Sequence, residues 1–439
     1  MYTKEPEEQQ YSFTHDWFII PDVDENHELI RIAKTIDWLN LSNKLSGFYC
    51  ADNGRRSKPS RAKVGLHIIK HLYQKSDADV VDLLKRDIYI QYLCNISPRE
   101  AKEFIDPSSL SKFRKQIGIE GIKIIEEEIQ RTINKVKPPK GRRLVTDTTV
   151  VPSNIAYPTD VSLLEKVRRK AVEFIDKAKH LGSKSHCTYK RVAKKVYIQY
   201  QKVHRHSTKS RRKTIKKLLQ FATRNINQLK ESVDHFKKQS ENVPVIEDAQ
   251  DFLETAEEIL NQQKDLYRKR EVKDRIVSVH QPHIRPMVRG KYPVDVEFGP
   301  KVLLNLDDDY LFLEDLHFNN VSDTHLLEKA IEGYHKRRGR PPTQLAADRG
   351  FWSQDNHNKA EALGIQKVAI ENKGKSNHLK GKPFAKRLRR LRCKIEAKIS
   401  LAKRKFGLNR CRYLLPNGEE MWIRLGLSVM NLKHAMRYG

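Results

Sequence analysis

From Ser183 to Val243 the chain contains neither Gly nor Pro and is rich in Lys, Arg and Gln. Nothing in that stretch stops a helix. Yet upstream of it Leu144 to Val151 is an apolar, β-branched run of strand character. Downstream, "RIVSVHQ" (275–281), "DVEFGPKVLLNLDDDYLFLEDL" (295–316) and "PTQLAADRGF" (342–351) also read as strands, with turns at Gly299 and at the "DDD" of 307–309. A sheet that includes the first strand must therefore close across a long helical insertion. Residues 324–338 and "HNKAEALG" (357–364) read as helices, and "IQKVAIEN" (365–372) as a further strand. This order predicts an α/β fold.

Within the insertion, Leu219, Ala222, Ile226, Leu229, Val233 and Phe236 alternate spacings of three and four, as a heptad seam does. Past "ENVP" (241–244), Phe252, Ala256, Ile259 and Leu266 fall in register with a second seam. The expectation for 161–272 is an antiparallel, coiled-coil-like hairpin. Its near half is basic, with "KRVAKK" (190–195) and "KSRRKTIKK" (209–217). Such a run is a solvated face, a phosphate contact or a dimerisation arm, and periodicity does not choose among them.

Residues 1–50 read as an acidic, mixed arm, with Trp17, Phe18, Ile19 and Ile20 as a docking strand. Helical spacing begins at Val64 and runs to Cys94, interrupted by a cap signal at Ser76 and Asp77. A further helix opens with Asp106 as N-cap and Pro107 at its first position, and stops at Gly118. Leu110, Phe113 and Ile117 line one face of it, and Lys112, Arg114 and Lys115 point elsewhere, where they are the expected DNA contacts of a DNA-reading helix. Over 51–137 this pattern fits a helix-turn-helix-like DNA reader, or equally a plain helical bundle with a basic face. "KVKPPKGRR" (135–143) reads as a linker into a core formed by 138–160 and 273–439. "RRGRPP" (337–342) contains the core of a minor-groove hook, but its place between a helix and a strand reads as a helix stop.

Lys and Arg number 85 against 55 Asp and Glu, a net charge of +30. That surplus favours polyanionic partners, nucleic acid or an acidic membrane surface. No apolar run approaches the ~20 residues of a membrane span, and the acidic start "MYTKEPEEQQYSF" has no apolar signal core. DNA and a cytoplasmic location are therefore the expectation, and no membrane. Five cysteines without a C-x-x-C pair argue against a zinc finger and suit a reducing compartment. "SHC" (185–187), "HRH" (204–206) and "HQPH" (280–283) lack zinc spacings and read as solvent- or phosphate-facing histidines.

Against this background one carboxylate is out of place. Asp147 sits inside the β-branched strand, where a charge must be desolvated and paired. Either the strand is an edge with Asp147 in water, or Asp147 is a metal ligand. Asp348 answers the same description at the end of "LAAD". Glu396 is the one acid in the basic helix "KRLRRLRCKIEAKISLAKRKFG" (386–407), with Arg392 and Lys403 within about 40° of it around the helix, placed to fix DNA phosphates. Three carboxylates suit Mg²⁺, for which Mn²⁺ can substitute, and two such ions would serve in-line phosphoryl displacement. Glu371 is the alternative third ligand.

At these residues the sequence resembles the DDE transposases of bacterial insertion sequences, most of all insertion-sequence family five. "VTDTTVVPSNIAYPTD" resembles the first-aspartate strand, "HIRPMVRGKYPVDVEFGPKV" the strand hairpin, "LAADRGF" the second-aspartate strand and "RCKIEAKISLAKRKFGLNRCRY" the glutamate helix. "SRAKVGLHIIKHLYQKSDADVVDLLKRDIYIQYLC" with "DPSSLSKFRKQIG" resembles the helical amino-terminal domain. The resemblance implies a ribonuclease-H-like core with Asp147, Asp348 and Glu396 as catalytic metal ligands. It implies a homodimer on DNA, acting on terminal inverted repeats and target DNA in a nucleoid-associated setting. Arg392, Glu396 and Lys403 match the signature around the glutamate, while Arg389 stands where that signature has Tyr. The alternatives are a metal-dependent nuclease on the same core and an inactive DNA-binding repressor.

Overall fold

In the computed structural model of the chain, residues 2, 24–50, 56–238, 244–288, 296–372 and 383–438 are described. The proposed docking strand at Trp17–Ile20 and the side chain of Arg389 lie outside them. Helices α1 (Glu28–Thr35), α2 (Trp38–Leu45), α3 (Ser60–Leu72), α4 (Asp77–Arg86), α5 (Ile88–Cys94), α6 (Pro98–Ala101) and α7 (Pro107–Val136) precede strand β1 (Arg143–Val150). Then come α8 (Asp160–His180), α9 (Lys190–Gln201), α10 (Thr208–Lys238), α11 (Pro244–Tyr267), β2 (Pro286–Val288) and β3 (Val296–Phe298). The chain closes with β4 (Lys301–Asp307), β5 (Tyr310–His317), α12 (Leu327–Arg338), β6 (Gln344–Ala347), α13 (Gln354–Ala362), β7 (Lys367–Ala369), α14 (Pro383–Lys405) and α15 (Gly418–Tyr438). Two compact units result, 1–154 with 300–439, and 155–299.

The first unit is organised by a mixed sheet of order β5-β4-β1-β6-β7. β1 runs antiparallel to β4, from Leu144 opposite Asp307 to Val150 opposite Lys301. On its other side it runs parallel to β6, from Arg143 opposite Gln344 to Thr146 opposite Ala347. Alternation along the strands divides the side chains between two cores. Val145, Leu304, Leu306, Ala346 and Ala369 face one, with Ile125, Ile129, Ile395 and Leu425. Leu144, Leu303, Leu345, Ala347 and Val368 face the other, with Leu327, Ile331, Tyr334 and Ala360. β1 is thus a central strand buried on both sides, and the edge-strand reading of Asp147 is excluded.

Residues 24–50 form helices rather than an arm. Leu29, Ile32, Trp38 and Leu41 join the same core as Ile69, Leu110, Ile125, Val145 and Met430. No gap in that core separates the amino-terminal helices from the sheet. The "KVKPPKGRR" segment is likewise tied down, because Tyr310 Oη donates to the Lys137 carbonyl (2.6 Å) and Arg338 Nη2 to that of Gly141 (3.3 Å). Gly118 does interrupt the helix that starts at Pro107, with φ 57° and ψ −162°, a conformation that favours glycine. The helix then resumes to Val136.

In the second unit the heptad seam is buried, but its partner is not a single return helix. Leu164, Val167, Ala171 and Phe174 of α8 pack with Leu219, Ala222, Ile226 and Leu229 of α10, and with Ala256 and Ile259 of α11. Residues 275–281 form no strand. Ile276 and Val279 instead plug this helical core, and the Ile276 amide donates to Gln262 Oε1 of α11 (2.8 Å).

One basic residue of α7 departs from its expected place. Lys112 and Lys115 are exposed, but Arg114 is 4% exposed. Its guanidinium grips both oxygens of Asp77 (3.0 and 2.7 Å) and lies over the Tyr413 ring, 4.3 Å from its centroid. Lys70 Nζ adds a third bond to Asp77 (2.7 Å). Burial pushes the Asp77 carboxyl up, but Arg114 and Lys70 outweigh it and hold the group at about 2. Burial, then the Arg114 charge, push His67 down to about 3. The neutral ring donates from Nδ1 to the Lys63 carbonyl (2.7 Å) and accepts at Nε2 from Arg114 (3.1 Å). The expected DNA contact by Arg114 is therefore corrected: it is an internal strut with no free donor face toward solvent. Arg114→Ala should lower the unfolding free energy by about 3 kcal/mol, because Asp77 keeps only its bond to Lys70 and His67 Nε2 loses its donor. Lys112→Ala should change it by less than about 0.5 kcal/mol. Urea titrations of the two variants test this.

Candidate active site

The parallel register of β1 and β6 sets the site. Thr146 stands opposite Ala347, so the next residue on each chain, Asp147 and Asp348, leaves neighbouring strands at the same level. Adjacent strands lie about 4.8 Å apart. β6 ends at Ala347, and Asp348 opens the turn Asp348–Arg349–Gly350 that leads into a short 3₁₀ segment. α14 packs against β1, β6 and β7, anchored by the buried Ile395, Ile399, Ala402 and Phe406. That periodicity leaves Glu396 exposed beside the strand ends, with Arg392 and Lys403 part-buried.

Electrostatics record the convergence. Burial raises the Asp147 carboxyl to about 6, opposed by the Thr148 amide and the Arg392 charge and reinforced by the negative charges of Asp348 and Glu396. The Thr148 N–H donates to Asp147 Oδ1 (2.8 Å). Arg392 Nη2 donates to Asp348 Oδ1 (2.5 Å). So the cation expected to meet phosphate neutralises one of the candidate ligands instead. Among the described residues no three His, Cys, Asp or Glu side chains are gathered tightly enough to hold a metal ion, which also applies to the described histidines of 185–187, 204–206 and 280–283. Glu371, the alternative ligand, lies two residues past the end of β7 and is part-buried.

A fourth carboxylate was not legible in the sequence. Asp323 accepts from Thr148 Oγ1 (2.9 Å) and from Lys301 Nζ (2.7 Å). A Cβ at Gly350 would come within 2.7 Å of its Oδ2. Asp323 thus joins β1 to β4, and the turn that carries Asp348 packs closely against it. It lies in the loop "NNVSDTH", where no period or motif marks it. Two of the three arginines of 337–342 make internal ion pairs, while Arg340 is exposed. Arg337 pairs with Glu314 and Arg338 with Asp307, and Gly339 caps α12 with φ 67°.

Comparison with known proteins gives this geometry its class. A family model described as "Transposase domain (DUF772)" matches residues 19–116, and one described as "Transposase DDE domain" matches residues 287–432. Asp348 and Glu396 fall inside the second match, and Asp147 falls in neither. A Rhizobium meliloti protein described as "Uncharacterized protein ORF8 in nfe locus" is 30% identical over 180 residues, 40% of this chain and 85% of that protein. No solved structure matches. The chain is a DDE-type enzyme, which transfers phosphoryl groups on DNA. It belongs to the insertion-sequence transposases. DDE transposases use divalent metal ions. Among the described residues no helix is long and apolar enough to cross a membrane.

A raised carboxyl pKa means that ionising Asp147 weakens the metal-free fold. The contribution is present below the ordinary carboxylate pKa and is lost as pH rises through about 6. Asp147→Asn removes that loss. In EDTA at about pH 7.5 it should stabilise the protein by about 2 kcal/mol, and the gain should vanish near pH ~4. Thermal melts at the two pH values check it.

Proposed function

We propose that the protein binds the terminal inverted repeats of an insertion sequence related to family five and catalyses Mg²⁺-dependent strand cleavage and strand transfer. Asp147, Asp348 and Glu396 are the metal ligands in this reading, with Mn²⁺ able to substitute. The observation that carries it is the β1–β6 register, which sets two aspartates side by side while α14 lays a glutamate against the same strands. The sheet order and strand directions agree with a ribonuclease-H-like core.

The donor set is all carboxylate oxygen, which suits a hard divalent ion. Burial first, and then the charges of Asp348 and Glu396, raise the Asp147 carboxyl against the Thr148 amide and Arg392, and a bound cation would relieve that cost. Bound ions would activate the attacking oxygen and stabilise the leaving one. Arg392 holds only Oδ1 of Asp348, which leaves Oδ2 to an ion, and exchanging that contact for a DNA phosphate would place a guanidinium four helical positions from Glu396. Lys403 extends the same helical face toward the DNA backbone. Lys112 and Lys115, exposed on α7, serve end recognition, and Arg114 supports them from inside. A homodimer on paired ends is the working assembly, in the cytoplasm at the nucleoid.

Asp147→Asn, Asp348→Asn and Glu396→Gln should each reduce cleavage of an inverted-repeat duplex by at least about 10³-fold, with DNA affinity within about threefold of the parent. EDTA should abolish cleavage by the parent, and Mg²⁺ or Mn²⁺ should restore it. Retained cleavage in any one variant removes that residue from the ligand set. Cleavage without joining would assign a nuclease, and binding without either reaction a repressor.

A further inference from the structure

Between Asp176 and Glu231 the sequence holds no acidic residue, although Lys and Arg recur throughout. The structure decides among the three readings of this run. The apolar seam of α10 is consumed inside its own unit by α8 and α11, so no unpartnered seam remains to form a dimerisation arm. Around α10, Lys209, Lys213, Lys216 and Lys217 fall within about 100° of one another on the side away from that seam. All four are exposed, and among the described residues none makes an ion pair. Cations that merely solvate a surface are usually interspersed with acids. Here none of the helix's acids reaches them. Lys230, by contrast, sits where acids resume and pairs with Glu257.

The neighbouring helices are basic as well. Lys194 and Lys195 of α9 are exposed, and Lys194 shares a groove with Lys166 and Arg169 of α8. Burial, then the charges of Lys170, Lys166 and Arg169, hold His280 below its ordinary value. Aromatic rings stiffen the surface rather than bury it: Arg224 lies over Tyr189, which is 48% exposed, and Arg212 over Tyr267.

We infer that the basic face of α10, with α9, is a second double-stranded DNA-binding surface of the transposase, contacting backbone phosphates without reading sequence. It rests on the transposase reading only in that DNA is the polyanion present. A helix spans 1.5 Å per residue, so Lys209 to Lys216 covers about 10 Å, enough to meet successive phosphates of one strand. The surface adds affinity and lets the protein track along duplex, while recognition of element ends stays with the first unit.

The test is the salt dependence of binding to a duplex of arbitrary sequence, in EDTA, for the full chain with Lys209, Lys213, Lys216 and Lys217 all changed to Gln. The slope of log affinity against log salt should fall by roughly 3 to 4, and affinity at ~0.1 M salt by at least about tenfold. The corresponding Lys→Arg variant should restore both. An unchanged slope in the Gln variant overturns the inference. So does a changed sedimentation coefficient of the free protein with unchanged affinity, which would identify the face as a protein interface. Mg²⁺-dependent cleavage of short inverted-repeat duplex is measured on the same variant. Its loss or retention speaks to the catalytic reading alone, because binding in EDTA needs no metal.

Discussion

The parallel pairing of Arg143–Thr146 with Gln344–Ala347 is the contact on which the site depends. It joins segments that the helical insertion and an antiparallel hairpin separate in sequence. A one-residue slip would turn every side chain of β1 to the opposite face. Leu144 and Val145 would exchange cores, and Asp147 would leave the side on which α14 packs. The burial of Leu144 and Leu345 on one face, and of Val145 and Ala346 on the other, therefore fixes the placement of the carboxylates. Apolar packing holds the register, and the register holds Asp147 and Asp348 on neighbouring strands.

Like charges crowded on stiff elements oppose folding, and the first unit offsets this in two ways. Arg392 neutralises Asp348 directly. Asp323, held by Lys301, pins the neighbouring strand from the other side. The same economy of buried cations recurs at Asp77, where Arg114 and Lys70 meet one carboxylate beneath the Tyr413 ring. Pairs of this kind contribute little when replaced together by apolar groups, but they are costly to break singly.

Much of the architecture was legible because it rests on local period. Apolar, β-branched runs between turn signals located β1, β4, β5 and β6, and the Asp106–Pro107 and Gly118 signals marked the boundaries of a helix. The acidic residues at Asp147 and Asp348 stood out since strands of Val, Thr, Leu and Ala disfavour them. What stayed hidden was long-range. Arg114 looks like a surface cation on α7 by spacing, and only the approach of Asp77 and Tyr413 explains its burial. Residues 275–281 carry a strand's composition, yet no strand edge accepts them and a helical core does. Asp323 has no sequence signal, because its role comes from Thr148 and Gly350, which reach it from separate elements.

The shared core of the first unit bears on how such genes decay. Ile30, Leu41, Ile69 and Leu110 occupy the same apolar interior as Ile395, Trp422 and Met430. A copy that loses its early codons would leave a large greasy surface on the remaining helices and sheet. It could not survive as a folded remnant. Erosion from that side removes part of the core itself, whereas a point change at a carboxylate leaves that packing in place.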